Sequence, residues 1–353
     1  MFSKGKIKNI EIKNRIVRSA TNEHLGNIDG IITDDYIDVY SNLAKNDVGL
    51  IITSHMAVDE KQRVDETQIC IQKFDNKKLL TDLIRKVHKY GSKIIVQVSQ
   101  GGKFSSNVEG QVALTPTETE TSKCMNLKDI NNCIENFALA CKIIQDCGAD
   151  GVQLHMAHGY LLSDFLDPYN NKRTDKYGGS IENRYRIIHQ IVSSIKSICK
   201  KEFIIMAKIN STSTANSCQF FEQQLVICKM LELDGVDAIE ISGMEFAQKN
   251  RKMPYFLSQA LQIRKQINIP VVLVGGFHKY AQINQAIEEG IDFVSMSRPF
   301  ICEDDLVFKL KNRVNSKCSG LIVAIIFFAM NTRDVSSMII LFCNSKKILK
   351  NRL

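Results

Sequence analysis

The sequence predicts an α/β protein folded as a single (β/α)8 TIM barrel, and three observations carry that expectation. Short apolar, β-branched runs recur at eight places along the chain. Segments with helical spacing separate them. Three of the helix-to-strand joints repeat one pattern: a Gly, then an Asp, then the next apolar run.

Taken in order, the runs are NRIVRSA, VGLIITSHM, SKIIVQVS, DGVQLHMAH, FIIMAKIN, DAIEISG, PVVLVGGF and DFVSMSR. Each has the length and β-branched content of a strand buried on both faces. Helical spacing covers 35–46, 77–90, 131–147, 181–200, 219–233, 257–266, 280–289 and 304–312. The repeated joints are CGADGVQLH, ELDGVDAIEIS and EEGIDFVSMS, where glycine suits the left-handed end of a helix. Crossover helices join parallel strands, and eight such units close a barrel. A doubly wound open sheet would carry G-x-G-x-x-G after its first strand, which NRIVRSATNE lacks. The barrel is expected over 1–312, with an atypical C-terminal tail over 313–353.

Composition narrows the class. With 353 residues and 44% hydrophobic content the chain can bury a large core. Its net charge of +8 comes from lysines mixed with acids, and Trp is absent, so no basic stripe interleaved with aromatics points to nucleic acid. Eleven cysteines, an odd count without a Cys-x-x-Cys pair, and an opening that reads as no secretory signal suggest reduced thiols in a cytoplasm. The most apolar run, LIVAIIFFAM, has ten residues, whereas a bilayer span needs about 20. No membrane is expected.

In a barrel the chemistry sits at the C-terminal ends of the strands. Those ends read Ser19 and Thr21, His55, Gln97, His155 and His158, Lys208, Ser242, Gly275 with Gly276, and Ser297 with Arg298. A single polar residue there does no more than end a strand. All of them on one rim argue for a site, because barrel interiors favour Val, Ile and Leu. Gly275, Gly276, Ser297 and Arg298 stand where barrels bind phosphate: glycine lets backbone N–H groups approach the oxygens and arginine supplies a charged fork. His155 and His158 are open to three readings. Metal ligation is one, although no zincin carboxylate or cysteine pair accompanies them. Hydrogen-bonded core histidines are another, and donors to a substrate carbonyl or anion, with Tyr160 as a proton donor, the third.

These blocks, in order and spacing, resemble the old yellow enzyme family of flavin-dependent ene-reductases. The resemblance runs over roughly residues 3–312, and the segment HMAHGYLLSDFLDPYNNKRTDKYGGSIENR is its most specific part. It implies a barrel holding FMN noncovalently, reduced by NADH or NADPH and reoxidised by a small electrophile such as an α,β-unsaturated carbonyl compound. Carried onto this chain, it implies that Ser19, Ala20 and Thr21 contact the flavin from strand one and that Gln97 bonds the pyrimidine edge. Lys208 would stand near N1 and O2, and Gly275, Gly276, Ser297 and Arg298 would hold the phosphate. His155 and His158 match the pair that binds the substrate carbonyl, and Tyr160 the residue that protonates the α-carbon.

The loop residues Asp167, Asn171, Arg173, Asp175, Tyr177, Glu182 and Arg184 are expected to be structural, with Ser180 as an N-cap. The chain departs from many relatives at Gln100 and Lys103, where they carry His and Arg, and at Asn22, where some carry Thr or Cys. After Cys318 no second cysteine completes a cluster-binding pair, so no iron-sulfur cluster or second flavin is expected. The apolar tail is expected to be an altered terminus, or else a helix packing on a second subunit. Two competing functions remain: a non-catalytic flavin-binding barrel, and a flavin-free phosphate-binding lyase or isomerase.

Overall fold

A computed structural model describes residues 1–212, 217–244 and 254–315. Of the expected tail only 313–315 are included; Cys318 and the apolar run 321–330 lie outside the described residues. Each of the eight apolar runs supplies one strand: β1 (Ile16–Arg18), β2 (Leu50–Ile52), β3 (Lys93–Ser99), β4 (Gly151–Met156), β5 (Ile204–Asn210), β6 (Ala238–Ser242), β7 (Val271–Val274) and β8 (Phe293–Met296). All pair in parallel with their sequence neighbours, and β8 pairs with β1, which closes the barrel.

The helices outside are α1 (Asp34–Lys45), α2 (Phe74–His88), α3 (Leu127–Asp146), α4 (Ile181–Ile198), α5 (Ser217–Asp234), α6 (Leu257–Arg264), α7 (Tyr280–Glu288) and α8 (Leu306–Lys311). Helix α3 starts earlier than its apolar spacing suggests, because its first turn is exposed and carries no periodic signal. A capping box opens it instead: the Asn126 side chain accepts from the Asp129 N–H, and the Asp129 carboxylate accepts from the Asn126 N–H. Ser180 caps α4 by accepting from the Asn183 N–H.

The three repeated joints do more than end helices. Gly148, Gly235 and Gly290 have φ of +94°, +84° and +110°, a region that costs L side chains strain. Two residues on, each Asp reaches sideways: Asp150 accepts from the Ile94 N–H, Asp237 from Ile205 and Asp292 from Val271, at 2.8, 2.8 and 2.9 Å. A carboxylate at the base of one strand thereby pins the entry of the strand before it, fixing register at β3, β5 and β7.

Alternation then divides the strands. Ile51, Val96, Leu154, Ala207, Ile241 and Leu273 face the helices as part of one apolar cluster, while Val17, Leu50, Ile52, Ile95, Ile204, Met206, Val272 and Phe293 fill the lower interior as another. A hairpin of Gly5–Ile7 and Ile10–Ile12, which the sequence reading did not anticipate, closes that lower end. It inserts Ile7 and Ile12 into the interior cluster. Gly5 lies so close that a Cβ there would stand 2.4 Å from Phe293 Cζ. With the bottom plugged by hydrocarbon, the polar interior formed by the described residues lies in the upper half. Among the described residues no helix is long and apolar enough to cross a membrane, and the cysteines whose side chains are described are free thiols.

Candidate active site

Above the hydrocarbon plug, the next inward position is polar on six of the eight strands. Ser19, Gln97, Gln153, Lys208, Glu240 and Ser295 are all buried there. Glu240 is the hub: its Oε1 accepts from Ser19 Oγ at 2.7 Å and Ser295 Oγ at 2.6 Å, and its Oε2 accepts from Gln153 Nε2 at 3.0 Å. Lys208 Nζ donates to Ser19 Oγ at 3.0 Å and stands 3.4 Å from Glu240 Oε2. Gln97 Nε2 donates to Gln153 Oε1 at 2.6 Å. Three residues expected at the site, Ser19, Gln97 and Lys208, are thus joined by three that were not: Gln153, Glu240 and Ser295.

One strand-residue pair higher, four rings meet. The His155 ring lies 4.3 Å from Tyr160 and 5.1 Å from His158 between centroids, and His55 stands 5.8 Å from His155 and 5.1 Å from Tyr160. Gly159 makes this possible with φ of +75°, and His158 itself adopts φ of +63°, an uncommon conformation for a non-glycine residue. The His158 N–H donates to Asn210 Oδ1 at 3.2 Å, which anchors that turn to the end of β5. His155 Nδ1 accepts from the Ala157 N–H at 3.3 Å, which leaves its proton on Nε2. His158 Nε2 lies 2.9 Å from Ser242 Oγ.

Burial disfavours the imidazolium form of all three histidines. It lowers His55 to about 4 and holds His155 and His158 well below the ordinary value, with neighbouring imidazoles and Lys208 adding to the effect. Near neutral pH each is therefore an uncharged ring carrying one N–H. Burial, reinforced by the Asp65 carboxylate, raises the Tyr160 phenol above its usual value, so it keeps its proton.

The rim at β7 and β8 is built differently. Gly275 and Gly276 follow β7 with φ of +113° and +84°, and a Cβ on Gly275 would meet the Tyr255 ring at 3.2 Å. Thr21 Oγ1 lies 2.7 Å from Ser297 Oγ, tying the first strand end to the last. Arg18, fully buried, donates from Nη1 to the Ser297 carbonyl at 2.6 Å and from Nη2 to Glu23 at 2.7 Å. Arg298 forms no ion pair with any described residue. Ala20 packs against the interior cluster between these two regions.

The loop after Tyr160 is a hydrogen-bonded scaffold, as its composition suggests. Asn171 Nδ2 donates to the Phe165 and Tyr177 carbonyls, Arg173 chelates Asp175, and Arg184 Nε donates to the Leu166 carbonyl at 2.8 Å.

Residues 1–317 match the NADH:flavin oxidoreductase / NADH oxidase family. The chain belongs to that family. An NADH oxidase of Thermoanaerobacter brockii is 31% identical over 330 residues, a match covering 88% of this chain and 50% of that protein. An NADPH dehydrogenase of Halalkalibacterium halodurans is 29% identical over 309 residues, covering 85% of this chain and 90% of that protein. The chain therefore spans half the length of the first relative and most of the second. An old yellow enzyme homologue from Zymomonas mobilis shares the fold, with a TM-score of 0.77 at 20% identity over 88% of this chain and 92% of that one. The barrel expected from the sequence is thus the architecture of the family.

NADH:flavin oxidoreductases of this family are FMN-dependent, and the residues present fit that cofactor. Lys208 has three N–H groups and two partners in the floor, which leaves one to donate upward. Gln97 spends its amide on Gln153 and keeps its carbonyl oxygen for a ring N–H. Gln100 Oε1 is buried without a partner, a cost that a polar ligand would relieve. The left-handed Gly275 and Gly276 and the Arg298 guanidinium, which has no ion-pair partner among the described residues, suit a phosphate.

Proposed function

We propose that this chain is an FMN-dependent NAD(P)H oxidoreductase that reduces activated alkenes, taking α,β-unsaturated carbonyl compounds or related small electrophiles. The observation that carries this reading is the cluster of His155, His158 and Tyr160 rings at the end of β4, whose neighbouring strands carry the buried Lys208 and Gln97. Bound FMN would supply hydride chemistry, receiving a hydride from NADH or NADPH and passing it on. Ser19, Ala20, Thr21, Gln97 and Lys208 would hold the ring, and Gly275, Gly276, Ser297 and Arg298 the phosphate.

The protein's own part is electrostatic. As the β-carbon of an enone is reduced, negative charge grows on the carbonyl oxygen. Neutral imidazole N–H groups of His155 and His158 stabilise that charge without the penalty of burying a second cation beside Lys208. The Tyr160 O–H, held protonated by burial, then delivers a proton to the α-carbon. The neighbours these histidines have, a backbone amide at His155 and a serine hydroxyl at His158, favour hydrogen bonding over metal ligation.

Anaerobic mixing tests the reading. The purified yellow protein should be bleached by NADH or NADPH and recover its colour on addition of 2-cyclohexenone, with cyclohexanone formed in equal amount. Bleaching without recovery would support a flavin-binding barrel that does not reduce alkenes.

A further inference from the structure

His55 ends β2's extension into the rim, is 5% exposed, and packs edge-on against both Tyr160 and His155. The reaction proposed above does not use it. Its environment nevertheless fixes which nitrogen carries the proton. Gln68, buried at 2% exposure, accepts from the Val64 backbone N–H through Oε1 at 2.8 Å. That contact orients the amide, because an N–H can only be met by the oxygen. Gln68 Nε2 must then be the atom facing His55 Nδ1, also at 2.8 Å. An amide NH2 has only protons to offer, so Nδ1 is the acceptor and the imidazole proton lies on Nε2. Ser99 Oγ, 2.8 Å from the same Nδ1, completes this arrangement from β3. Among the described residues Nε2 has no hydrogen-bond partner.

We propose that His55 is a third N–H donor of the substrate pocket, presented through Nε2, and that Gln68 is the positioning residue that keeps it in that tautomer. The proposal rests on the alkene-reductase reading for the nature of its ligand, an oxygen bearing partial or full negative charge. Three neutral donors around one oxygen stabilise charge as it develops, and no donor needs to be ionised. His55 is also in ring contact with both Tyr160 and His155, so an oxygen bound between His155 and His55 would be held next to the phenol. The alternative is a histidine whose only role is packing.

Two readouts separate these without relying on turnover. Nitrogen-15 spectra of the histidine-labelled holoprotein should show His55 with Nε2 protonated and Nδ1 bare; Gln68→Glu, which puts an acceptor where the donor was, should move the proton to Nδ1. The dissociation constant of 4-hydroxybenzaldehyde, followed by the change in flavin absorbance, should rise about tenfold in His55→Phe, the worth of one hydrogen bond. His55→Gln, which can still donate, should recover most of that loss, and Gln68→Glu should reproduce it with His55 intact. Unchanged affinity in both His55→Phe and Gln68→Glu, or a wild-type spectrum with the proton on Nδ1, would overturn the proposal and leave His55 a packing residue. If His55→Phe does not fold, the Gln68→Glu and His55→Gln comparisons decide alone. Failure of the alkene-reductase reading would look different: no cyclohexenone reduction, with the tautomer and aldehyde affinities unaffected.

Discussion

Glu240 Oε2 lies 3.4 Å from Lys208 Nζ, and the two residues stand in register on adjacent strands with neither side chain open to solvent. Replacing one member of a buried pair costs about 3–5 kcal/mol because the other charge is left behind. Here the carboxylate keeps three other donors, Ser19, Ser295 and Gln153, if the lysine goes. Lys208→Met should therefore destabilise the protein by ~3 kcal/mol, the low end of that range. Adding Glu240→Gln should restore more than half of the loss, measured by urea denaturation of all four members of the cycle. Additive losses in the double variant would show that the two do not act as a pair.

Tyr160 should be needed for only one half of the reaction. Tyr160→Phe removes the proton donor and leaves the Lys208–Gln97 floor intact. Bleaching by NADPH should proceed at the wild-type rate, while reoxidation by cyclohexenone should slow by about 10²–10⁴-fold, the usual worth of a general acid. Because burial raises the phenol above its ordinary pKa, the wild-type reoxidation rate should stay level from pH 6 to pH 9. Stopped-flow absorbance under argon measures both. Equal slowing of the two half-reactions would remove Tyr160 from the proton-donor role.

Most of the fold was legible because barrel strands buried on both faces read as apolar runs and the Gly-x-Asp joints repeat. The hairpin that plugs the base was not, since three-residue strands are too short to show a period. The site was legible at its rim and opaque beneath it. Gln153 and Glu240 were absorbed into the strand runs DGVQLHMAH and DAIEISG, yet each lies two positions before a residue seen at the rim, His155 and Ser242. The period of a strand therefore put them on the same inward face. Arg18 and Gln68 could not be read that way. Their value lies in partners far along the chain or in an amide orientation that only the folded backbone determines. His55 was visible at the rim, but its neighbours in space were not.

Arg298 should hold the cofactor more than the fold. It has no acidic partner among the described residues, and it follows the strand next to Gly275 and Gly276. Arg298→Ala should leave the urea midpoint within error of wild type. It should raise the FMN dissociation constant by about 10–100-fold, corresponding to the ~1.5–3 kcal/mol of a hydrogen bond to a charged group. Flavin fluorescence released on dilution measures the constant. A fall in stability with unchanged flavin affinity would make Arg298 structural.

Asp150 offers the sharpest test of the joints that set the barrel's register. Its carboxylate, 8% exposed, accepts from the Ile94 N–H at 2.8 Å and meets His88 Nε2 at 2.7 Å and Lys93 Nζ at 3.2 Å. Burial would raise its pKa, but the His88 hydrogen bond, the Ile94 N–H and the neighbouring Lys93 ammonium outweigh burial and lower it. A carboxyl whose folded pKa lies below its unfolded value stabilises the protein above the unfolded pKa, near 3.9, and loses that contribution as pH falls through the folded value. Asp150→Asn should thus cost about 1.5–3 kcal/mol at pH 7, the worth of a charged hydrogen bond. The gap to wild type should narrow as the pH falls below about 4. Urea midpoints of both proteins across pH 3 to 7 measure this. A gap that stays constant over that range would mean the Asp150 side chain contributes by shape and not by charge, and the Gly-x-Asp joint would then be a turn with no electrostatic hold on the neighbouring strand.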